Sequence, residues 1–218
     1  MKRASSLLRT EVIMSKIRVF VLIACAVAII GLGAQTLYLR FFAHPPESSA
    51  GSAVSVPDRQ TSYSLVDDNG KAWTPDLLKG HPSLVYFGYT HCPDVCPTTL
   101  YEMATWFKTL GPQADGLKAY FFSVDPQRDT AAMMHTYISN FTDRIVGVTG
   151  EPAEMQKAVK AWRIYAKKVP APDSGDDYTM DHTASVMIVD PDGQLKSTIS
   201  YGEDSDVALK KIQNLLRP

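Results

Sequence analysis

From Val19 to Leu39 the chain carries no charged side chain, and no other feature limits its architecture so tightly. A helix of these 21 residues, rising about 1.5 Å per residue, spans the roughly 30 Å hydrocarbon core of a bilayer. Lys2, Arg3, Arg9, Lys16 and Arg18 precede the run against a lone Glu11, and Arg40 closely follows it. That asymmetry puts residues 1–18 in the cytoplasm, makes 19–39 a transmembrane helix, and sends everything after residue 40 across the membrane. A cleaved signal peptide ending near Gly31-Leu32-Gly33 is the competing reading. Leu22-Ile23-Ala24-Cys25 looks like a lipoprotein cleavage box, but apolar sequence continues to Ala34, so Cys25 reads as a buried membrane residue. Met14 is an alternative start that changes nothing downstream. His44 to Pro57 is rich in Pro, Ser, Ala and Gly, so residues 40–60 read as a flexible linker. Residues 61–218 remain as one domain, and 45% hydrophobic content overall is enough to give it a core. A net charge of -1 offers no footprint for nucleic acid.

Within that domain, Ser62 to Val66 and Lys71 to Trp73 flank Asp67-Asp68-Asn69-Gly70 and predict a small hairpin. Ser83 to Tyr89 is a short apolar, aromatic run suited to a central strand. Beyond Pro97, the spacing of Leu100, Met103, Ala104, Phe107 and Leu110 predicts a helix that Gly111-Pro112 stops. Lys118 to Val124 reads as a second buried strand. Ala131 to Ile138 and Pro152 to Tyr165 read as helices, the latter burying Met155, Val159 and Trp162. Ala184 to Val189 and Leu195 to Tyr201 flank the turn Asp190-Pro191-Asp192-Gly193, which predicts a second hairpin. A last helix runs from Asp206 to Leu216. Strand, helix, strand, helix, hairpin, helix is the order of an α/β, thioredoxin-like mixed sheet flanked by helices.

Two of the three cysteines, Cys92 and Cys96, stand four residues apart where the central strand ends and a helix begins. On a first helical turn, i and i+4 share a face, and the positive end of the helix favours thiolate over thiol. Such a pair can bind a soft metal ion, or cycle between dithiol and disulfide, since the two Cα atoms lie within about 6 Å. A third ligand would decide for metal. His182 stands just before the strand that begins at Ala184, but its spacing alone leaves a ligand role open. Two thiolates and an imidazole suit Cu(I), and with an added donor Cu(II); zinc would want a fourth ligand that is not evident nearby. Asp125 and Asp129 could make contacts around the site or pair with Arg128, but read first as a strand-end turn followed by a helix cap. His91 and Asp94 flank the cysteines and could tune thiolate basicity or meet a partner, though exposed loop polarity explains them as well; Met180 and Met187 read as core thioethers.

Residues 60–218 closely resemble the Sco/SenC family. The resemblance runs through Phe87-Gly88-Tyr89-Thr90-His91-Cys92-Pro93-Asp94-Val95-Cys96-Pro97, Ser123-Val124-Asp125-Pro126-Gln127-Arg128-Asp129-Thr130, Asp181-His182-Thr183 and Asp190-Pro191-Asp192-Gly193. It implies a membrane-tethered, thioredoxin-like copper protein with Cys92, Cys96 and His182 as copper ligands, for Cu(I), Cu(II) or both. It also implies a metallochaperone more than an enzyme, with thiol-disulfide reductase activity still open, that delivers copper to the dinuclear centre of cytochrome c oxidase subunit II, with other copper chaperones as possible partners. The implied location is a bacterial inner membrane with the domain in the periplasm, or, in a eukaryote, the mitochondrial inner membrane facing the intermembrane space. The alternative is a thiol-disulfide oxidoreductase acting through Cys92 and Cys96 on cysteines of the oxidase subunit or another partner. The three residues between the cysteines instead of the usual two, and the absence of a proline where thioredoxins carry one facing the active site, weigh against it.

Overall fold

The computed structural model describes residues 62–170 and 177–217. The expected membrane segment, the linker and Cys25 lie outside those residues, and among the described ones no helix is long and apolar enough to cross a membrane.

The core is laid down by strands whose two faces are both buried. Strand β3 (Ser83–Gly88) has no exposed residue, because it sits between β4 (Lys118–Ser123) in parallel and β8 (Ser185–Val189) in antiparallel pairing. Strand β5 (Ile145–Thr149) continues the parallel set beside β4, and β1 (Leu65–Asp67) with β2 (Ala72–Trp73) closes that edge. Strand β9 (Leu195–Ser200) forms the other edge, so the sheet runs β2-β1-β5-β4-β3-β8-β9. Helices α1 (Val95–Leu110), α2 (Ala131–Ile138), α3 (Pro152–Ala161) and α4 (Ser205–Leu216) complete a mixed, thioredoxin-like α/β domain. Helix α1 touches α4, and α2 rests on β5.

Alternation along the strands sorts the aromatic residues onto two faces. Phe87 and Phe122 are register partners, stack at 4.8 Å and meet Trp73 and Trp162. Tyr86 and Phe121, one residue earlier on each strand, stack at 5.7 Å on the opposite face. Both expected hairpins form. Asp67 Oδ1 accepts the Asn69 and Lys71 amides, and Asp190 Oδ1 accepts those of Asp192 and Gln194, so each turn is built by its first aspartate.

Three departures from the sequence expectation have local causes. Strand β5 went unpredicted because Gly147 interrupts its β-branched run. A Cβ there would stand 2.8 Å from Ile138 Cδ1 and 3.0 Å from Met134 Cβ, so the glycine lets α2 approach the sheet. Helix α3 ends at Ala161, short of the expected Tyr165. Arg163 takes a left-handed conformation (φ 54°), its amide donating to Lys160 O and that of Ile164 to Val159 O. This is a Schellman ending with arginine where glycine is usual, which hid the stop signal. The residues beyond form β6 (Ala166–Pro170), which pairs with β7 (Tyr178–His182) in a two-stranded ribbon separate from the main sheet.

Candidate metal centre

The loop after β3 is fixed before it reaches the first cysteine. Asp129, fully buried, accepts hydrogen bonds from the Thr90 amide (3.2 Å), the Thr90 hydroxyl (2.6 Å) and the Ser123 hydroxyl (2.6 Å). Burial raises its carboxyl pKa, and the bonds from Ser123 and Thr90 oppose that rise. The expected cap role is therefore corrected: the residue that caps α2 is Thr130, whose side chain accepts the Met133 amide, while Asp129 faces inward to hold Thr90.

Helix α1 begins at Val95, and Asp94 at its N-cap position makes no side-chain cap bond. The sulfur of Cys92 substitutes for it, accepting the Cys96 amide at 3.3 Å. A sulfur held against free amides at the positive end of a helix is stabilised as thiolate. The Cys92 pKa falls to about 4, led by the bond from the Cys96 side chain, with His182 and the Cys96 and Asp94 amides adding to it against the effect of burial. Cys96 goes the other way. It is wholly buried and its pKa is raised, first by desolvation and then by the neighbouring Cys92. The sequence expectation of two acidic thiols is thus corrected to one thiolate and one thiol, because the helix end that serves both leaves only Cys92 partly open to solvent.

Space for the second sulfur comes from Gly88, where a Cβ would stand 2.8 Å from Cys96 Sγ and 2.6 Å from Phe121. The hydroxyl of Tyr86, two residues earlier on β3 and on the same face, donates to Cys96 Sγ at 3.6 Å. His182 stands just before the strand of the second hairpin, as its place in the sequence indicated, and it is itself the last residue of β7, paired with Ala166. Its Nδ1 donates to the Thr183 carbonyl (3.0 Å), which fixes the ring so that Nε2 is the atom turned toward Cys96 Sγ at 3.4 Å. The rings of Tyr86 and Tyr89 meet the imidazole edge-on at 6.2 and 5.9 Å. One donor atom from each of Cys92, Cys96 and His182 lies within 4.8 Å of the others, a group able to hold a single metal ion. An open groove of about 280 Å³, lined by Tyr89, Pro93, Asp94, Met180 and His182 among others, leads to it.

The fold thus gathers all three candidate ligands. His91 and Asp94 stay exposed at the rim. Met187 is core, whereas Met180 is half-buried and lines the groove. Sequence reasoning missed Tyr86, Thr90 and Tyr178 as neighbours of the site. The signal at Tyr86 was a hydroxyl inside a strand buried on both faces, which requires a partner.

A family model described as SCO1/SenC matches residues 53–217. An SCO2-like protein of Rickettsia felis is 30% identical over 170 residues, covering 76% of this chain and 82% of that protein. Protein SCO1, mitochondrial, of Saccharomyces cerevisiae is 32% identical over 167 residues, 76% of this chain and 57% of that longer protein. Among solved structures, Bradyrhizobium japonicum ScoI with copper bound is 45% identical with a TM-score of 0.65, covering 71% of this chain and 97% of that one. Yeast Sco1 with copper bound is 32% identical with a TM-score of 0.66, covering 73% and 87%. With its folded domain and all three donors inside the matched region, the chain belongs to the SCO1/SenC family.

Proposed function

We propose that the chain binds one copper ion through Cys92, Cys96 and His182 and delivers it to the dinuclear copper centre of cytochrome c oxidase subunit II during assembly. The observation that carries this reading is the convergence of two sulfurs and a prepared imidazole within 4.8 Å, in a chain similar to two copper-bound structures. The donor set fits the cargo. A preformed Cys92 thiolate and the imidazole Nε2 of His182 are soft-to-borderline ligands, and Cys96 gives up one proton on binding. Release proceeds by ligand exchange, with a recipient thiolate entering as His182 leaves, since imidazole holds Cu(I) less firmly than thiolate. In this reading residues 19–39 anchor the domain on the outer face of a bacterial inner membrane, and residues 40–60 tether it.

A second reading, thiol-disulfide reduction, is favoured by the divergence of the two thiols. An accessible thiolate at Cys92 attacks a partner disulfide, forming a mixed disulfide and releasing one partner thiolate. Cys96 then loses its proton and attacks Cys92 Sγ, which frees the partner as a dithiol and leaves Cys92–Cys96 oxidised.

Cu(I) affinity and disulfide-reductase activity, measured on the full chain and on His182→Ala, separate the readings. The expected result is an affinity loss of tenfold or more, about 1.4 kcal/mol, with reductase activity retained. Cys92→Ser and Cys96→Ser lose both. An alanine variant that binds copper as tightly as the parent removes His182 from the site and sinks the copper assignment.

A further inference from the structure

The two halves of the centre come from distant segments, the sulfurs from the start of α1 and the imidazole from the end of a ribbon that pairs with no other strand among the described residues. Something must set the distance between them. Both are tied to Asp125–Asp129, five of the seven residues in the loop between β4 and α2, which contributes no donor atom.

Asp129, at one end of this segment, holds Thr90, two residues before Cys92, through the three bonds described above. Asp125, at the other end and 4% exposed, accepts the Tyr178 hydroxyl at 2.9 Å. Tyr178 starts β7, the strand that ends in His182. Its ring is clasped from both sides, with the Arg128 guanidinium 3.7 Å and the Lys168 ammonium 3.4 Å from the centroid. Arg128 in turn bonds Asp125 through Nε and Asp177 through Nη1 at 3.1 Å. The loop is braced internally. Ser123 Oγ accepts the Asp125 amide and donates to Asp129, while the amides of Arg128 and Asp129 both return to the Asp125 carbonyl. The two carboxylates therefore cannot move independently.

We infer that Asp125 and Asp129 are positioning residues of the metal centre, Asp125 acting through Tyr178 on His182 and Asp129 acting through Thr90 on the two sulfurs. The loop is a rigid spacer between ribbon and helix. This rests on the copper reading for its metal-loaded measurements, but the copper-free protein tests it separately.

The decisive measurement is a double-mutant cycle on Cu(I) affinity in the full chain. Tyr178→Phe keeps the clasped ring and deletes only the hydroxyl; Asp125→Asn is the second variant of that arm. Each is expected to weaken binding about tenfold, the scale of one hydrogen bond to a charged group, and to have no effect in the His182→Ala background. Thr90→Val and Asp129→Asn, acting on the sulfurs, are expected to weaken binding equally in both backgrounds. In the copper-free chain, Tyr178→Phe speeds amide hydrogen exchange over Thr179–His182 and leaves the alkylation rate of Cys92 unchanged; Thr90→Val does the reverse. If Tyr178→Phe weakens copper equally with and without His182, or leaves ribbon exchange as in the parent, the assignment of Asp125 is overturned. If Thr90→Val leaves Cys92 alkylation unchanged, that of Asp129 is overturned. Should the parent fail to bind copper, the cargo reading falls, and the exchange and alkylation measurements still decide the inference.

Discussion

Cys92 and Cys96 have the same side chain and lie four residues apart, yet their ionisation is opposed. Cys92 keeps solvent on one side and receives the helix amide; Cys96 is enclosed by Tyr86, Phe121 and the floor that Gly88 leaves open. In the reduced, copper-free chain, alkylation of Cys92 is expected to follow its thiolate fraction, with a midpoint near about 4 instead of the ordinary 9.0. Cys96 should stay unmodified until the protein unfolds. The linkage has a definite sign. A folded pKa below the unfolded one stabilises fully above the unfolded value, and that contribution is lost as pH falls through the folded value. Stability should therefore fall from pH 9 toward pH 4, and fall less in Cys92→Ser, as read by denaturant unfolding in reducing buffer. Asp129 opposes this with its raised pKa. Its contribution is present below the unfolded carboxyl value of 3.8 and is lost as pH rises through the folded one.

Helix α3 and the ribbon that follows show how an element boundary can depend on a single backbone conformation. With Arg163 in the left-handed region, the chain leaves α3 and runs directly into β6, which places Ala166 opposite His182. The left-handed conformation costs a side chain with a Cβ about 1–2 kcal/mol. Arg163→Gly is accordingly expected to raise the unfolding free energy by about 1 kcal/mol with unchanged copper affinity, because the geometry of the turn is preserved. A destabilised variant in thermal or urea unfolding would mean that the arginine side chain contributes more than its backbone costs.

Across the whole domain, the ribbon is the part least integrated into the sheet, and a metal ion held by His182 and both sulfurs would fasten it to the start of α1. Ligand bound to the folded state alone stabilises by mass action. Free Cu(I) at a thousand times its dissociation constant contributes about 4.1 kcal/mol, which for a domain of this size raises the melting temperature by roughly 10 °C. The rise should vanish in Cys92→Ser and shrink in His182→Ala. An equal rise in all three would place the copper elsewhere.

The amino-acid order alone determined what depends on neighbours in sequence. The buried run into Cys92 and Cys96, the aspartate-led hairpin turns, the i, i+4 placement of the sulfurs and the uncharged stretch from Val19 to Leu39 are all local patterns. Short-range sterics and periodicity are enough to read them. Tertiary structure decided what depends on distance in space. It carried His182 across 86 positions to Cys96, turned Asp129 from an expected cap into the buried anchor of Thr90, and made one of two equivalent thiols acidic. Burial, amide direction and the meeting of a ribbon with a helix end are properties of the assembled core, and no window of sequence contains them.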